Sequence, residues 1–337
     1  MRAYEVQEPD PDYRGLREVE RDRPEPDEDE ALVRLHACSL NYRDLAVASS
    51  EIPYAGTELP VVPLSDGAGE VVEVGSDVTH VSTGDRVATP FAPGWIDGPG
   101  HPKKTTLTTG GNYDGVLAEY ATFPAESLAS LPDYLSAAGG ASLSCAGLTA
   151  WRALAEDGNL RAGETVLALG TGGVSTLALQ FAALHGARTV VTSSSDAKLE
   201  RARELGADET VNYETTPEWG EVVYERTGGV DQVVEVGGAG TLEQSIEAAG
   251  HDAQIHLIGV LDPEGEVDPN PIAWKQLTVN GVFAVGSRAM FDRMLDAMAA
   301  AEMQPEVDRV FDFDDAREAY RYVEEGEHQG KVVIRID

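Results

Sequence analysis

The hydrophobic pattern changes period abruptly between residues 165 and 184. Val166, Leu167, Ala168 and Leu169 form an unbroken apolar run, which predicts a strand buried on both faces. Leu177, Ala178, Phe181, Ala182 and Leu184 then recur at helical spacing. Gly170, Gly172 and Gly173 lie between the two patterns and predict a tight turn, with Ser175 at the place of a third glycine. A strand, a glycine turn and a helix in that order leave unpaired backbone N–H groups at a helix start, where a pyrophosphate fits. Further strands are predicted at 188–193, 209–213, 230–237, 253–260 and 278–285, with a helix at 196–205 and others between. Six strands joined by crossovers predict an α/β, doubly wound parallel sheet.

Upstream the texture differs. Residues 31–37 alternate like a half-buried strand, and 67–74 and 84–88 are short strands with Gly and Pro between them. Residues 41–48 and 136–154 read as helical, and 90–115 as a long irregular loop. After the last crossover come helices at 290–301 and near 314–325, then KVVIRI. That final strand has no easy place on a completed six-stranded sheet, so it is expected to return to the first domain. The division is therefore a β-rich domain of 1–130 and 286–337, and a dinucleotide domain of 131–285.

Composition narrows the classes. Hydrophobic residues make up 42% of the chain, enough for two cores, yet no stretch of about 18 apolar residues exists to span a membrane. The polar start, MRAYEVQEPDPDYRG, lacks a secretory apolar core, so a cytoplasmic protein is expected. Cys38 and Cys145 sit among apolar residues and read as buried free thiols. Asp plus Glu number 59 against 25 Lys plus Arg, a net charge of −34. Because the acids are spread evenly and the apolar period survives between them, adaptation to concentrated salt is preferred over an acidic interaction surface. Nucleic acid and membranes are excluded as natural partners of so negative a chain.

Several stretches together carry a resemblance. LNYRDL (40–45), VVPLSDGAGEVVEVGSDVTHVSTGDRVAT (61–89), DGVLAEYATFP (114–124), SCAGLTAWRAL (144–154), LALGTGGVS (167–175), RARELGAD (201–208), VVEVGG (233–238) and GKVVIRI (330–336) occur in this order. The chain resembles the medium-chain dehydrogenase/reductase superfamily over essentially its whole length. The resemblance implies a Rossmann domain, a β-rich GroES-like catalytic domain, and a nicotinamide held in the cleft between them. The zinc-dependent members hold their metal with Cys, with His beside Glu, and with a later Cys or Asp. Here the first position is Asn41, and the second reads Leu64, Ser65, Asp66. Asn and Ser are poor zinc donors, and the four-cysteine structural loop is missing, so no zinc is expected. LNYRDL looks like the zinc-free quinone oxidoreductase branch.

The second strand ends in Thr192 and Ser193, with Ser194 following, where NAD sites usually place an acid. Those hydroxyls and Lys198 suit a 2′-phosphate, so NADP(H) is preferred over NAD(H). Asp196 is read as a helix N-cap in preference to the acid of an NAD site. The phosphate turn comprises Gly170, Thr171, Gly172, Gly173 and Val174. By the resemblance, Asn41 and Thr149 approach the nicotinamide; Thr149 equally suits a hydroxyl bonded to its own helix. Tyr213 either flanks the adenine or packs as a strand-end aromatic. Val236, Gly237, Ile258, Gly259 and Val260 lie at strand ends where ligands bind. Phe283 and Val285 line the nicotinamide end or serve the core. Tyr54 is a candidate proton donor, with Tyr42 and Asn41 as further catalytic candidates. Of seven histidines, only His101, in the long loop, is a candidate neighbour of substrate.

Three functions follow. The first is an NADPH-dependent, zinc-independent oxidoreductase passing hydride to a quinone or an α,β-unsaturated carbonyl. The second is an alcohol or aldehyde dehydrogenase lacking zinc. The third is a catalytically silent NADPH-binding protein. The sixth strand, VNGVFAV, could pair across a two-fold axis, so a homodimer, or a tetramer, is expected.

Overall fold

A computed structural model describes residues 1–49, 56–259, 261, 265–283 and 285–336. The chain folds as two compact units, Met1–Leu148 with Ala284–Asp337, and Thr149–Phe283. The first crossing falls after Leu148, later than the boundary at 130 drawn from the pattern. The segment between belongs with the β-rich unit because Ala137–Ala141 packs on its strands, with Ser39 Oγ donating to the Ala141 carbonyl at 2.8 Å.

The first unit is built on β1 (Arg2–Val6), β2 (Leu16–Glu20), β3 (Glu30–Ser39), β4 (Asp66–Val74), β5 (Arg86–Ala88), β6 (Tyr120–Pro124) and β7 (Ala129–Ser130). β1 and β2 form a two-stranded ribbon. β3 is long and bulged, and its alternating residues face a core holding Val33, Leu35, Cys38, Phe123 and Tyr320. Residues 90–115 carry no strand, only a single turn of helix at Pro102–Thr105, as the loop pattern predicts.

The second unit carries β8 (Thr165–Leu169), β9 (Arg188–Ser193), β10 (Glu209–Asn212), β11 (Val230–Glu235), β12 (Ala249–Leu257) and β13 (Thr278–Gly281). All pair in parallel in the order β10-β9-β8-β11-β12-β13, the doubly wound arrangement. Every residue of β8 is buried, as its unbroken apolar run requires.

The tail returns to the first unit. β15 (Lys331–Arg335) pairs antiparallel with β3, completing a seven-stranded sheet whose edge is β14 (Val307–Asp312). The predicted helix at 136–154 is broken instead into Ala137–Ala141 and two π-helical turns, Leu143–Gly147 and Arg152–Asp157, around Leu148–Trp151. At the first of these turns the Cys145 N–H donates to the Asp66 carboxylate at 3.0 Å, so a side chain diverts a donor from the helical ladder. Among the described residues, no helix is long and apolar enough to cross a membrane.

Candidate functional site

In the second unit the strand order reverses between β8 and β11, and ligands of such sheets bind beyond the carboxyl ends of the strands there. After β8 the chain turns through Gly170, with φ 73°, and Gly172, then enters the helix Gly173–Leu184. A Cβ placed on either Gly170 or Gly172 would meet nothing within 4 Å. Open space therefore faces the first N–H groups of this helix, and a pyrophosphate fits it. Thr171 is buried, and its carbonyl accepts from Thr176 Oγ1 at 3.1 Å; Val174 is half-buried in the first turn. Ser175 replaces the third glycine without intruding, because its hydroxyl donates to the Leu169 carbonyl at 2.5 Å.

After β9, Ser193 is buried and its hydroxyl accepts from Ser195 N at 3.3 Å, while Ser194 is exposed. The cap of helix Asp196–Glu204 is Ser195, which accepts from Lys198 N at 3.4 Å. This corrects the expectation for Asp196. Ser195 has the extended backbone that aims an oxygen at the free N–H groups, whereas Asp196 already lies in the helix and accepts from Asn212 Nδ2 at 2.7 Å. Lys198 is half-buried in the first turn, with interactions of its own. Tyr213, 39% exposed, follows β10.

After β11 the structure adds a residue that pattern reading missed. Glu235 is fully buried, and one carboxylate oxygen accepts from Gly237 N at 2.8 Å, Gly238 N at 3.1 Å and Thr241 Oγ1 at 2.6 Å. Its other oxygen accepts from Ser245 Oγ at 2.5 Å. The Glu235 side chain thus fixes the turn carrying Val236 and Gly237. The signal was an acid ending the otherwise apolar VDQVVE strand. Ile258 N donates to the Glu235 carbonyl at 2.9 Å, and Gly259 approaches so closely that a Cβ would lie 2.3 Å from the Val236 carbonyl oxygen. Thr149 is buried in its short helix, and Phe283 is 73% exposed at the end of this unit. Val285 falls in the first unit, buried, with φ 65°, which a β-branched residue rarely adopts. Val260 and Tyr54 lie outside the described residues.

The first unit gathers a second, buried polar cluster. Helix Tyr42–Ser49 starts beside Asn41, whose N–H donates to Asp44 Oδ2 at 2.7 Å. Burial raises the Asp44 carboxyl to about 6, opposed by the Arg43 guanidinium alongside. Asp66, fully buried at the start of β4, accepts from Ser65 Oγ at 2.6 Å. Leu64, just before, is held at φ 70°, and such strain gathers at functional sites. Lys331 reaches in from β15. Its ammonium donates to the Leu40 carbonyl at 2.7 Å and to Asn41 Oδ1 at 2.6 Å, and lies 3.6 Å from Asp66 Oδ2. Lys331 is only 2% exposed. Tyr42, by contrast, is 63% exposed, and His101 is exposed and caps a helical turn by accepting from Lys103 N.

These side chains do not suit a zinc ion. The cluster supplies an amide, a hydroxyl and a carboxylate already bound to two donors, with an ammonium among them. Burial and Asp66 push the neighbouring Cys145 thiol well up. No group of three His, Cys, Asp or Glu able to hold a metal occurs among the described residues.

Residues 27–133 match the family of the alcohol dehydrogenase GroES-like domain, and 173–300 match the zinc-binding dehydrogenase family. A zinc-type alcohol dehydrogenase-like protein of Schizosaccharomyces pombe is 44% identical over 318 residues, 91% of either chain. A 2-methylene-furan-3-one reductase of Solanum lycopersicum is 31% identical over 320 residues, 92% of this chain and 73% of that one. A mycobacterial protein solved in complex with NADPH superposes with a TM-score of 0.81 at 28% identity, covering 100% of both chains.

Proposed function

The chain belongs to the medium-chain dehydrogenase/reductase family of NAD(P)-dependent oxidoreductases, and from that premise we propose that it is a zinc-independent, NADPH-dependent reductase of quinones or α,β-unsaturated carbonyls. The observation that carries this reading is the Lys331 ammonium, which lies between Asn41 and Asp66 where zinc-type members need metal donors. The ammonium, with Asp66 as its counter-ion, polarises the Asn41 amide without a metal. NADPH, when bound, supplies the hydride. The glycine turn and the N-terminus of helix Gly173–Leu184 would hold its pyrophosphate, and the serines after β9 with Lys198 its 2′-phosphate. Two relatives lend support through their names: one is a reductase of a conjugated furanone, the other was solved with NADPH.

The test is turnover by the purified protein of a quinone, an enone and an aldehyde, with NADPH and NADH in parallel, beside elemental analysis for zinc. The expected result is NADPH-preferring reduction of quinone or enone, unaffected by chelators and without stoichiometric zinc. One zinc per chain together with aldehyde turnover would establish the alcohol dehydrogenase alternative instead. Tight NADPH binding with no turnover would mark a silent binding protein.

A further inference from the structure

An ammonium group can only donate hydrogen bonds, so the Asn41 atom 2.6 Å from Lys331 Nζ must be the amide oxygen. The orientation of the Asn41 side chain follows from that contact. Its other end, Nδ2, is buried and meets no acceptor among the described residues. Buried donors are almost always paired, so an orphaned one calls for an explanation, and a catalytic role is one such explanation. Lys331 is itself rigidly held by the Leu40 carbonyl and the Asp66 carboxylate. Asp66 is in turn fixed by the Ser65 hydroxyl and the Cys145 N–H. The Asn41 backbone is tied by its N–H to Asp44. Every part of the amide except Nδ2 is therefore committed.

We propose that Lys331 is a positioning residue that aims Asn41 Nδ2 at the carbonyl oxygen of the substrate, so that a polarised amide, and not a metal ion, draws electron density onto that oxygen. This rests on the reductase reading above. In the reaction the acceptor carbon gains hydride from NADPH and a new C–H bond forms. The carbonyl π pair moves onto oxygen, directly or through the conjugated C=C, and that oxygen is later neutralised by a proton from solvent. Negative charge on oxygen peaks in the transition state. A preoriented N–H there, strengthened by an ammonium on the far side of the same amide, stabilises that state more than the ground state. A cofactor carboxamide develops no such charge, which favours the substrate oxygen as the acceptor.

Asn41→Asp retains the contact to Lys331 and replaces the donor by an acceptor; Asn41→Ala removes both. Both variants are expected to keep NADPH affinity, measured by fluorescence titration, while kcat for the best enone or quinone falls about 100-fold, as when one oxyanion donor is lost. A second readout is the infrared carbonyl stretch of carbon-13-labelled cyclohexenone bound with NADP+. It should lie lower in the native protein than in Asn41→Ala, because a donor weakens the C=O bond. Lys331→Met should raise the stretch in the same direction, and adding it to Asn41→Ala should cost no further activity. Lys331→Arg keeps the charge with a different reach and should give a smaller shift of the same sign, which covers the case in which Lys331→Met does not fold. An unchanged stretch in Asn41→Ala, or a loss confined to NADPH affinity, overturns the proposal. Absence of any carbonyl or quinone turnover by the native protein fails the reductase reading instead, so the two failures are distinct.

Discussion

His256 shows how one buried side chain gives the fold a pH dependence. It is fully buried in β12, and its Nε2 donates to Gln232 Oε1 at 3.2 Å. The Gln232 amide in turn donates to Glu164 Oε2 at 3.3 Å. Burial pulls the imidazole down to about 4. An unfolded histidine takes a proton near pH 6.5, so the stability of the neutral form is whole above that pH and is lost as pH falls toward 4. The loss is up to about 3 kcal/mol. Asp44, raised by burial, pulls the opposite way over part of the same range, but it is common to the native chain and a His256→Gln variant. The difference between their urea midpoints should therefore move in favour of the variant between pH 7 and pH 4. A pH-independent difference would show that His256 carries no such linkage. Single residues were the least legible level of the sequence. Asn41, Ser65 and Asp66 could be placed by motif, but Lys331 joins Asn41 across 290 residues, through strand pairing that no local period encodes. The same holds for Glu235, whose partners depend on the exact course of the turn after β11.

At the scale of elements the pattern was far more informative, because period and punctuation are local. The β8 strand, glycine turn and following helix were legible as a unit, and all six strands of the parallel sheet were found. β14 was missed because VDRVFD is an edge strand with one buried residue, so it carries no apolar run. The π-helical turn at Leu143–Gly147 was missed because its cause, Asp66, lies on another element. The glycine turn supplies a sharp test of what each glycine is for. Gly172 has φ −74° and ψ −177°, which any L residue can adopt, and open space above it. Gly172→Ala should leave the thermal midpoint unchanged yet weaken NADPH about tenfold or more, since the added methyl enters the space proposed for the pyrophosphate. Gly170 differs: at φ 73° an alanine is strained, and Gly170→Ala should also destabilise the fold by about 1–2 kcal/mol. Equal behaviour of the two variants in both assays would remove the distinction.

The whole molecule is governed by its charge. With 59 acids against 25 Lys and Arg, many bases are already engaged by acids: Arg17 with Glu8, Arg21 with Asp114, Arg201 with Glu204, Arg203 with Glu200. Such exposed pairs contribute under about 1 kcal/mol each and weaken in salt. The unpaired acids repel one another, and at low ionic strength that repulsion acts across the surface. The Debye length is about 30 Å at 0.01 M and about 3 Å at 1 M, so molar salt leaves only contact-range interactions. Two opposing effects then act on NADPH, itself an anion. Attraction by the phosphate contacts proposed at the helix N-terminus and Lys198 would weaken with salt, while repulsion by the net charge of −34 is relieved. The repulsion has longer range and should be screened first. Both the thermal midpoint and NADPH affinity are therefore expected to rise from dilute buffer to molar KCl, opposite to the usual salt dependence of an anionic ligand. Fluorescence titration of NADPH across a KCl series, with unfolding midpoints in the same buffers, measures both. Binding that weakens steadily while the protein stays folded in dilute buffer would mean that the short phosphate contacts, and not the summed surface charge, control cofactor capture.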